Sequence, residues 1–178
     1  MAGTDASTEE PIGRLLGALT CFRDLNGAVL LMKPTSAPAG DEKGWRLTGG
    51  LVGFGEPLTA AAVRAVKEVT GLTRELTQLL VIDRVSEGED DTFDFVFDGG
   101  LLSPHDAEQV VLRSQAAGDQ PALKWVPLGQ VHEHSYSEHE SLVRAAIRAV
   151  EAQQASEKKG KPVFVWCHTC HGTGFEPA

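Results

Sequence analysis

The sequence predicts a fold of the mixed α/β class, in which a twisted sheet lies between helices. Two observations predict it: helical segments are few, and several strand-like segments with apolar alternation separate them along the chain. At 178 residues and 19.0 kDa, the chain has the length of one domain with a short appendage. Its hydrophobic fraction of 42% is close to the globular average, so a sizeable core is expected.

Two apolar runs near the N-terminus predict a β-hairpin. They cover residues 14–22 and 28–32, and the turn signal between them ends in Asn26-Gly27. We expect both of these residues to supply the positive φ angles of a tight turn. Residues 34–43 are rich in Pro, Ser, Gly and Ala and predict a loop, which a short strand over 45–48 follows.

The first helix is predicted over Pro57 to Thr70, after a stretch dense in glycine. Pro57 suits the first helical turn, alanines dominate the middle, and Gly71 stands where a C-terminal cap belongs. Apolar residues at helical spacing predict the face that packs on the core. These residues are Leu58, Ala62, Ala65, Val66 and Val69.

The second half of the chain continues the alternation of strands and helices. In order, it predicts strands over 78–85 and 92–97, a short helical turn from Ser103-Pro104, a strand over 122–128, and a helix from Ser137 to about Gln154. Ser137 and Glu140 have the spacing of a capping box at the start of the last helix.

Charge and hydropathy restrict the partners and the location. There are 25 Asp and Glu against 16 Lys and Arg, for a net charge of -9, which argues against a nucleic-acid partner. No run of 18 apolar residues occurs, so no membrane span or membrane partner is expected. Residues 1–12 predict a flexible leader without signal-peptide features, and a cytoplasmic location follows as the default expectation.

The segment from Gly50 to Leu72 carries a family signal. It reads GLVGFGEPLTAAAVRAVKEVTGL and resembles the Nudix box, in which a glycine and a glutamate precede a helix bearing an Arg-Glu and a Glu-Glu pair. The matching positions are Gly50, Glu56, Arg64, Val66, Glu68, Gly71 and Leu72.

The resemblance covers about residues 13–152 and implies a Nudix-like α/β/α sandwich over that range. It also implies a nucleotide-like small-molecule ligand, and hydrolysis of a nucleoside diphosphate linked to another group with the help of Mg²⁺ or Mn²⁺. In the family, Glu56 and Arg64 would form a structural ion pair that fixes the glycine loop containing Gly50.

Two positions depart from the family pattern. Ala65 and Val69 stand where the family has glutamates that hold the divalent cations, so Glu68 remains as the single matching carboxylate. Residues 65, 68 and 69 project from one face of a helix, where three carboxylates would form a hard-oxygen site. With one carboxylate, weak Mg²⁺ binding stays open, and Glu68 is either that ligand or a solvated or Arg-paired group.

Other acids could substitute for the missing pair. Five acids lie in segments that the family places near its pocket, and the sequence does not choose among Asp91, Asp94, Asp98, Glu108 and Asp119. His132, His134 and His139 do not share a helix face and are expected in a surface loop.

Residues 153–178 form a charged linker and a tail of different character. Cys167 and Cys170 form a CxxCxGxG segment that resembles half of the zinc-binding repeat pair of DnaJ-type chaperones. A zinc site would need His168 or His171, a distant residue such as Cys21 or one of the three upstream histidines, or a second chain in a homodimer. Redox-active thiols and a tail without a site are the alternatives.

Two functional hypotheses follow. In the first, the protein has a nucleoside-diphosphate-type pocket with an impaired metal site and serves as a weakly hydrolytic or non-hydrolytic ligand-binding or regulatory module. In the second, it is an active Mg²⁺-dependent hydrolase that uses Glu68 and a substitute acid. A zinc-tail adaptor with the rest as scaffold is a minor third hypothesis.

Overall fold

A computed structural model of the chain describes residues 14–87, 90–116 and 120–157. The strands are β1 Arg14–Arg23, β2 Ala28–Lys33, β3 Arg46–Leu51, β4 Leu79–Glu87, β5 Asp90–Leu101 and β6 Ala122–Pro127. The helices are α1 Leu58–Thr70, α2 Pro104–Ala116, α3 Val131–His134 and α4 Ser137–Glu157, with a 3₁₀ turn over Leu128–Gln130. The predicted leader over 1–12 and the tail from residue 158 lie outside the described residues.

The strands form one mixed sheet, as predicted. Its order is β4-β5-β1-β3-β2-β6, and β1 runs parallel to β5 while the other neighbouring pairs are antiparallel. β1 and β2 are consecutive, but they pair directly only where Arg23 faces Val29, because β3 lies between them over the rest of their length. The hairpin that the sequence predicts therefore opens from its turn to admit a third strand.

The turn between β1 and β2 differs from the expected geometry. Gly27 has a φ of 80°, but no non-glycine residue in the described part of the chain has a positive φ, so Asn26 does not share this role. The Asp24 carboxylate instead accepts hydrogen bonds from the N–H groups of Asn26 at 2.9 Å and Ala28 at 2.7 Å. An aspartate side chain that closes a turn in this way replaces the second left-handed residue.

Two hydrophobic clusters lie on opposite faces of the sheet. One contains Val66 of α1 and Val110 of α2, and the other contains Leu142 and Val143 of α4. Helices therefore cover both faces, and the predicted α/β/α sandwich is confirmed. None of the helices within the described residues is long and apolar enough to cross a bilayer.

Helix α1 packs as its apolar spacing predicts. Ala62, Ala65 and Val66 are at most 1% exposed, while Leu58 and Val69 are partly buried against the same cluster. The helix ends at Gly71, which adopts a left-handed conformation with a φ of 76° and donates its N–H to the Lys67 carbonyl. This C-cap is the one that the sequence predicts.

Helix α2 is longer than the short turn that the sequence predicts. It begins as expected, since the Ser103 hydroxyl accepts the Asp106 N–H at 3.2 Å, but it then continues to Ala116. Tertiary contacts account for the extra turns. Val110 is buried, and the Trp125 indole donates a hydrogen bond to the Ala107 carbonyl at 3.0 Å.

Two expectations about the C-terminal part are wrong. His132 and His134 lie in the short helix α3 rather than in a loop, and His139 lies in α4. The predicted capping box is not formed, because Ser137 is itself the first residue of α4 and its hydroxyl donates to the Glu138 carboxylate at 3.0 Å. The Tyr136 carbonyl accepts the Glu140 N–H.

We predict that Gly99→Ala destabilises the fold by about 1–3 kcal/mol, the usual cost of overpacking a core. Gly99 lies where the β1–β5 register shifts, and a Cβ there would approach Phe22 Cδ1 to 2.5 Å and Thr20 Cγ2 to 2.7 Å. Both neighbours are fully buried. Urea unfolding measures the difference. Gly129→Ala, which meets nothing within 4 Å, is the matched control, and equal stabilities of the two variants would contradict the packing.

Candidate functional site

The loop between β3 and α1 is held by a glutamate at its end. The Glu56 carboxylate accepts the Gly53 N–H at 2.9 Å, and the Glu56 N–H donates to the Gly53 carbonyl at 3.0 Å. Gly55 lies between them with a φ of 72°, a left-handed conformation that glycine adopts without strain. The loop is thus closed on itself before the helix begins.

Arg64 of α1 fastens this loop to the helix and to β3. Its Nε and Nη2 each donate to one oxygen of Glu56 at 2.8 Å, and Nη2 also donates to the Leu51 carbonyl at 3.0 Å. The ion pair that the sequence predicts is therefore present as a two-point contact, the stronger geometry for a guanidinium and a carboxylate.

The protonation of this pair follows from its hydrogen bonds. The Arg64 guanidinium, and then the Gly53 N–H, stabilise the ionised carboxylate and lower the pKa of Glu56 to about 2. Conversely, the hydrogen bond to Glu56 raises the pKa of Arg64 above its usual value. Both groups are charged across the range in which the protein would work.

Glu68 is tied to the same arginine. Arg64 Nη1 donates to Glu68 Oε2 at 3.2 Å, one helical turn away, and the Glu68 side chain is 60% exposed. This is the Arg-paired arrangement, one of the alternatives that the sequence leaves open for this carboxylate. At such exposure the pair contributes little to stability.

The two positions that depart from the expected acids are committed to packing. Ala65 is 1% exposed and lies so close to Gly50 that a Cβ on Gly50 would sit 3.5 Å from the Ala65 Cβ. Val69 packs against the hydrophobic cluster beneath α1. Within the described ranges, no group of three or more His, Cys, Asp and Glu side chains is gathered to hold a metal ion. The donor set of this helix edge does not fit a Mg²⁺ site built on several carboxylates.

A cavity of about 270 Å³ opens on the other face of the sheet, at the N-terminal part of α4. Its wall includes Gly50, the first residue of the predicted box, and the α4 residues His139 and Leu142. The remaining lining residues come from the strands: Leu15, Gly17, Leu19, Met32, Arg46, Leu47, Gly49, Leu51, Thr92 and Asp94. A concave, largely apolar site with a few polar groups is typical of small-molecule binding.

Asp94 is the carboxylate of this cavity. It lies in register with Asp83 of β4 on one side and Gly17 of β1 on the other. A Cβ on Gly17 would overlap Asp94 Oδ1, so the side chain lies across the glycine. Burial, and then the charge of Asp83, raise the pKa of Asp94 to about 6, while the charge of Arg46 acts in the opposite direction.

Two of the other candidate acids, Asp98 and Glu108, do not line this cavity. Asp98 is paired with Arg23 at 2.8 Å and accepts the Gly100 N–H, and Glu108 is exposed on α2. The side chain of Asp91 and the whole of Asp119 lie outside the described residues. Among the candidate acids whose side chains the structure describes, Asp94 is the one that lines the same cavity as Gly50.

Several lining residues, among them Arg46, Thr92 and His139, were not expected at the site from the sequence. His139 was expected in a surface loop, but it lines the cavity because α4 begins at Ser137. Cys167, Cys170 and His171 lie outside the described residues. Cys21, one distant zinc ligand considered, is buried in the core, and this burial raises the pKa of its thiol to about 12.

A family model for the NUDIX domain matches residues 13–152. The chain belongs to the Nudix domain family. Its fold is accordingly Nudix hydrolase-like. No match was found among curated protein sequences.

Solved structures of other Nudix proteins share this fold. The MutT protein from Methanosarcina mazei Go1 is 21% identical, with 82% of this chain and 98% of that chain covered and a TM-score of 0.58. The NUDIX domain of Shewanella oneidensis NrtR, solved with ADP ribose, is 18% identical with a TM-score of 0.55, over 78% of this chain and 89% of that chain. NrtR complexed with a 27mer DNA is 18% identical with a TM-score of 0.59, over 83% of this chain and 77% of that chain.

We predict that Glu56→Gln makes the stability of this Nudix domain less dependent on pH in the acid range. The pKa of Glu56 is depressed from 4.5 to about 2 in the folded state, so its contribution is present above pH 4.5 and is lost as the pH falls through about 2. The stability difference between the wild type and the variant should therefore shrink between those pH values. Urea unfolding at several pH values measures it.

Glu68→Gln is the matched control for this prediction. It removes a carboxylate that pairs with the same arginine but is 60% exposed. We therefore expect a smaller loss of stability than in Glu56→Gln at every pH. A difference between wild type and Glu56→Gln that stays constant down to the lowest pH would contradict the assignment.

Proposed function

We propose that this Nudix-family protein binds a nucleotide-like small molecule in the cavity at Gly50 and hydrolyses it weakly or not at all. One observation carries the proposal. The edge of α1 that would supply the family's carboxylates presents a buried Ala65, a partly buried Val69 and a Glu68 already paired with Arg64. In this proposal the domain retains a ligand pocket, while Ala65 and Val69 take part in packing at two of the three carboxylate positions of α1.

The chemistry of Mg²⁺ supports the loss of hydrolytic power. The ion is bound through oxygen ligands in near-octahedral geometry, and in enzymes it neutralises phosphate oxygens as charge develops. Glu68 alone offers one carboxylate, and binding a cation there would compete with its contact to Arg64 at 3.2 Å. A single exposed ligand of this kind favours weak, readily exchanged metal binding.

The proposal of a nucleotide-like ligand is supported by the site and by a relative. The cavity combines apolar walls with the polar groups Asp94, Arg46 and Thr92, which would orient a small heterocyclic ligand. The related NUDIX domain of NrtR has been solved with ADP ribose bound. A ligand of that class is therefore our first candidate for this cavity.

A regulatory role fits a domain that binds such a ligand without consuming it. NrtR has also been solved in complex with DNA. For the present chain we propose no nucleic-acid contact, because its net charge of -9 opposes approach to a phosphate backbone. The response to ligand would pass to a protein partner, or to a second copy of the chain in a homodimer.

A second candidate function is favoured by the position of Asp94. Because this acid lines the same cavity as Gly50, it could act with Glu68 in Mg²⁺-dependent hydrolysis of a nucleoside diphosphate linked to another group. This is the active-hydrolase alternative, with Asp94 as the substitute acid.

We predict that the wild-type protein, incubated with a panel of nucleoside diphosphate derivatives and Mg²⁺ or Mn²⁺, shows weak turnover or none. Any residual turnover should be insensitive to Glu68→Gln, because Glu68 is an exposed partner of Arg64 in the proposed state. The turnover is measured by chromatography, as the release of nucleoside monophosphate. Glu151→Gln, an exposed acid on α4, is the charge-matched control.

One outcome of this assay would contradict the proposal of weak or absent hydrolysis. Turnover that falls by about 100-fold or more in Glu68→Gln, the size expected for a lost acid or base, would establish the hydrolase alternative. If turnover is absent, Ala65→Glu and Val69→Glu together should create Mn²⁺ binding. Failure of this folded double variant to bind Mn²⁺ would mean that the helix edge itself has been remodelled.

The zinc prediction for the tail has a separate test. We predict that the purified full chain contains zinc bound through Cys167, Cys170 and His171, and that Cys167→Ser loses it, because a thiolate is the preferred ligand. Elemental analysis of both proteins measures the metal content. Cys21→Ser, a buried cysteine in the core, is the control that should retain zinc. An absence of zinc in the untreated wild-type protein would rule the site out.

A further inference from the structure

We propose that Asp94 is the specificity-determining residue of the cavity, and that it selects a ligand end bearing two neighbouring N–H donors, as on the edge of guanine. This inference rests on the proposed function, in which the cavity binds a nucleotide-like molecule. It assigns the end of the ligand that enters and the chemical group that is recognised.

The Asp94 side chain lies over Gly17 of the neighbouring strand. Asp94 and Gly17 are partners in the parallel β1–β5 pair, and the missing Cβ of Gly17 leaves the space that Asp94 Oδ1 occupies. With any other residue at position 17, the carboxylate could not lie in this place. The glycine thus permits an acid to extend across the strand into the cavity.

The Asp94 carboxylate opens into a cavity with a largely apolar wall. Leucines supply much of the wall, namely Leu15, Leu19, Leu47, Leu51 and Leu142. A flat, apolar ligand face would fit against such side chains, while its polar edge would need a partner. Hydrogen bonds to a charged group in an apolar site are stronger and more selective than those between neutral groups.

The charge of the site decides which end of a nucleotide enters. Asp94 lines the cavity and has Asp83 as its direct neighbour on β4, so these two carboxylates outnumber Arg46, the one arginine of the cavity wall. A phosphate group placed there would be repelled, whereas N–H donors would be attracted. The base is therefore expected at Asp94, with the phosphates away from it.

The protonation state sets the pattern of donors that is preferred. With a pKa of about 6, Asp94 is mainly ionised above pH 7 and can only accept hydrogen bonds, through two oxygens. Guanine offers an N1–H beside an amino group, which matches both oxygens. Hypoxanthine has the N1–H without the amino group, and adenine has one donor beside an acceptor.

Other charged groups face Asp94 from each neighbouring element. Asp83 of β4 raises its pKa, Arg46 of β3 lowers it, and His139 of α4 lines the same cavity. Since β1 contributes Gly17 at this point, it adds no charge. Lowering the pH through about 6 should therefore protonate Asp94 and weaken the preference for paired donors.

The test compares guanosine diphosphate with inosine diphosphate, which differ only in the exocyclic amino group. Isothermal titration calorimetry of the full chain with a chelator, at about pH 7.5, should show about tenfold tighter binding of guanosine diphosphate, since a hydrogen bond to a charged group contributes that much. The ratio should fall towards one in Asp94→Asn, because an amide accepts one such bond and donates another. It should also fall in Gly17→Ala, which displaces the carboxylate.

The wild-type ratio is informative even if a variant does not fold. Glu151→Gln, which removes an equal charge from an exposed site on α4, should keep the wild-type ratio. Equal affinities of the wild type for the two nucleotides, or a tenfold ratio that survives in folded Asp94→Asn, would overturn this inference and leave the proposed function standing. If neither these nucleotides nor ADP ribose bind, the proposed function itself fails.

Discussion

The two-point contact between Arg64 and Glu56 is the interaction on which the geometry of the site depends. Through it, one guanidinium joins α1, the glycine loop and the end of β3, with N···O distances of 2.8 to 3.0 Å. The loop would otherwise be free to move, because its glycines favour many conformations. Gly50 lies in β3 in register with Ala18 of β1, and Arg64 holds the carbonyl of the next residue, Leu51. Glu68 has its partner in the same arginine.

The same docking explains why α1 carries apolar side chains at two positions where the Nudix box has glutamates. Once α1 is fixed on the sheet, a Cβ added to Gly50 would lie at van der Waals distance from residue 65, and residue 69 packs against the hydrophobic cluster. Small and apolar side chains at these points add to the packing, whereas glutamates would need water and cations. The acidic surplus of the chain therefore lies elsewhere, and the cavity on the opposite face retains one well-placed carboxylate in Asp94.

Much of the fold could be predicted because it depends on local patterns. The period of α1, its Gly71 cap and the ion pair of Glu56 and Arg64 all follow from spacing along the chain. The features that were missed depend on distant contacts. β3 separates β1 from β2, Val110 prolongs α2 by burial, and His139 reaches the cavity through the docking of α4. The position of Asp94 in the cavity could not be predicted, because it depends on the strand register, which places it beside Gly17.

The central claim is that this Nudix domain binds its ligand without the family's metal. The most direct test is the affinity of the full chain for guanosine diphosphate and for ADP ribose, each measured by calorimetry with Mg²⁺ and with a chelator. Because α1 offers only the Arg64-paired Glu68 as a carboxylate, the account predicts the same affinity in both conditions. Binding that appears only with Mg²⁺, and disappears in Glu68→Gln, would contradict it.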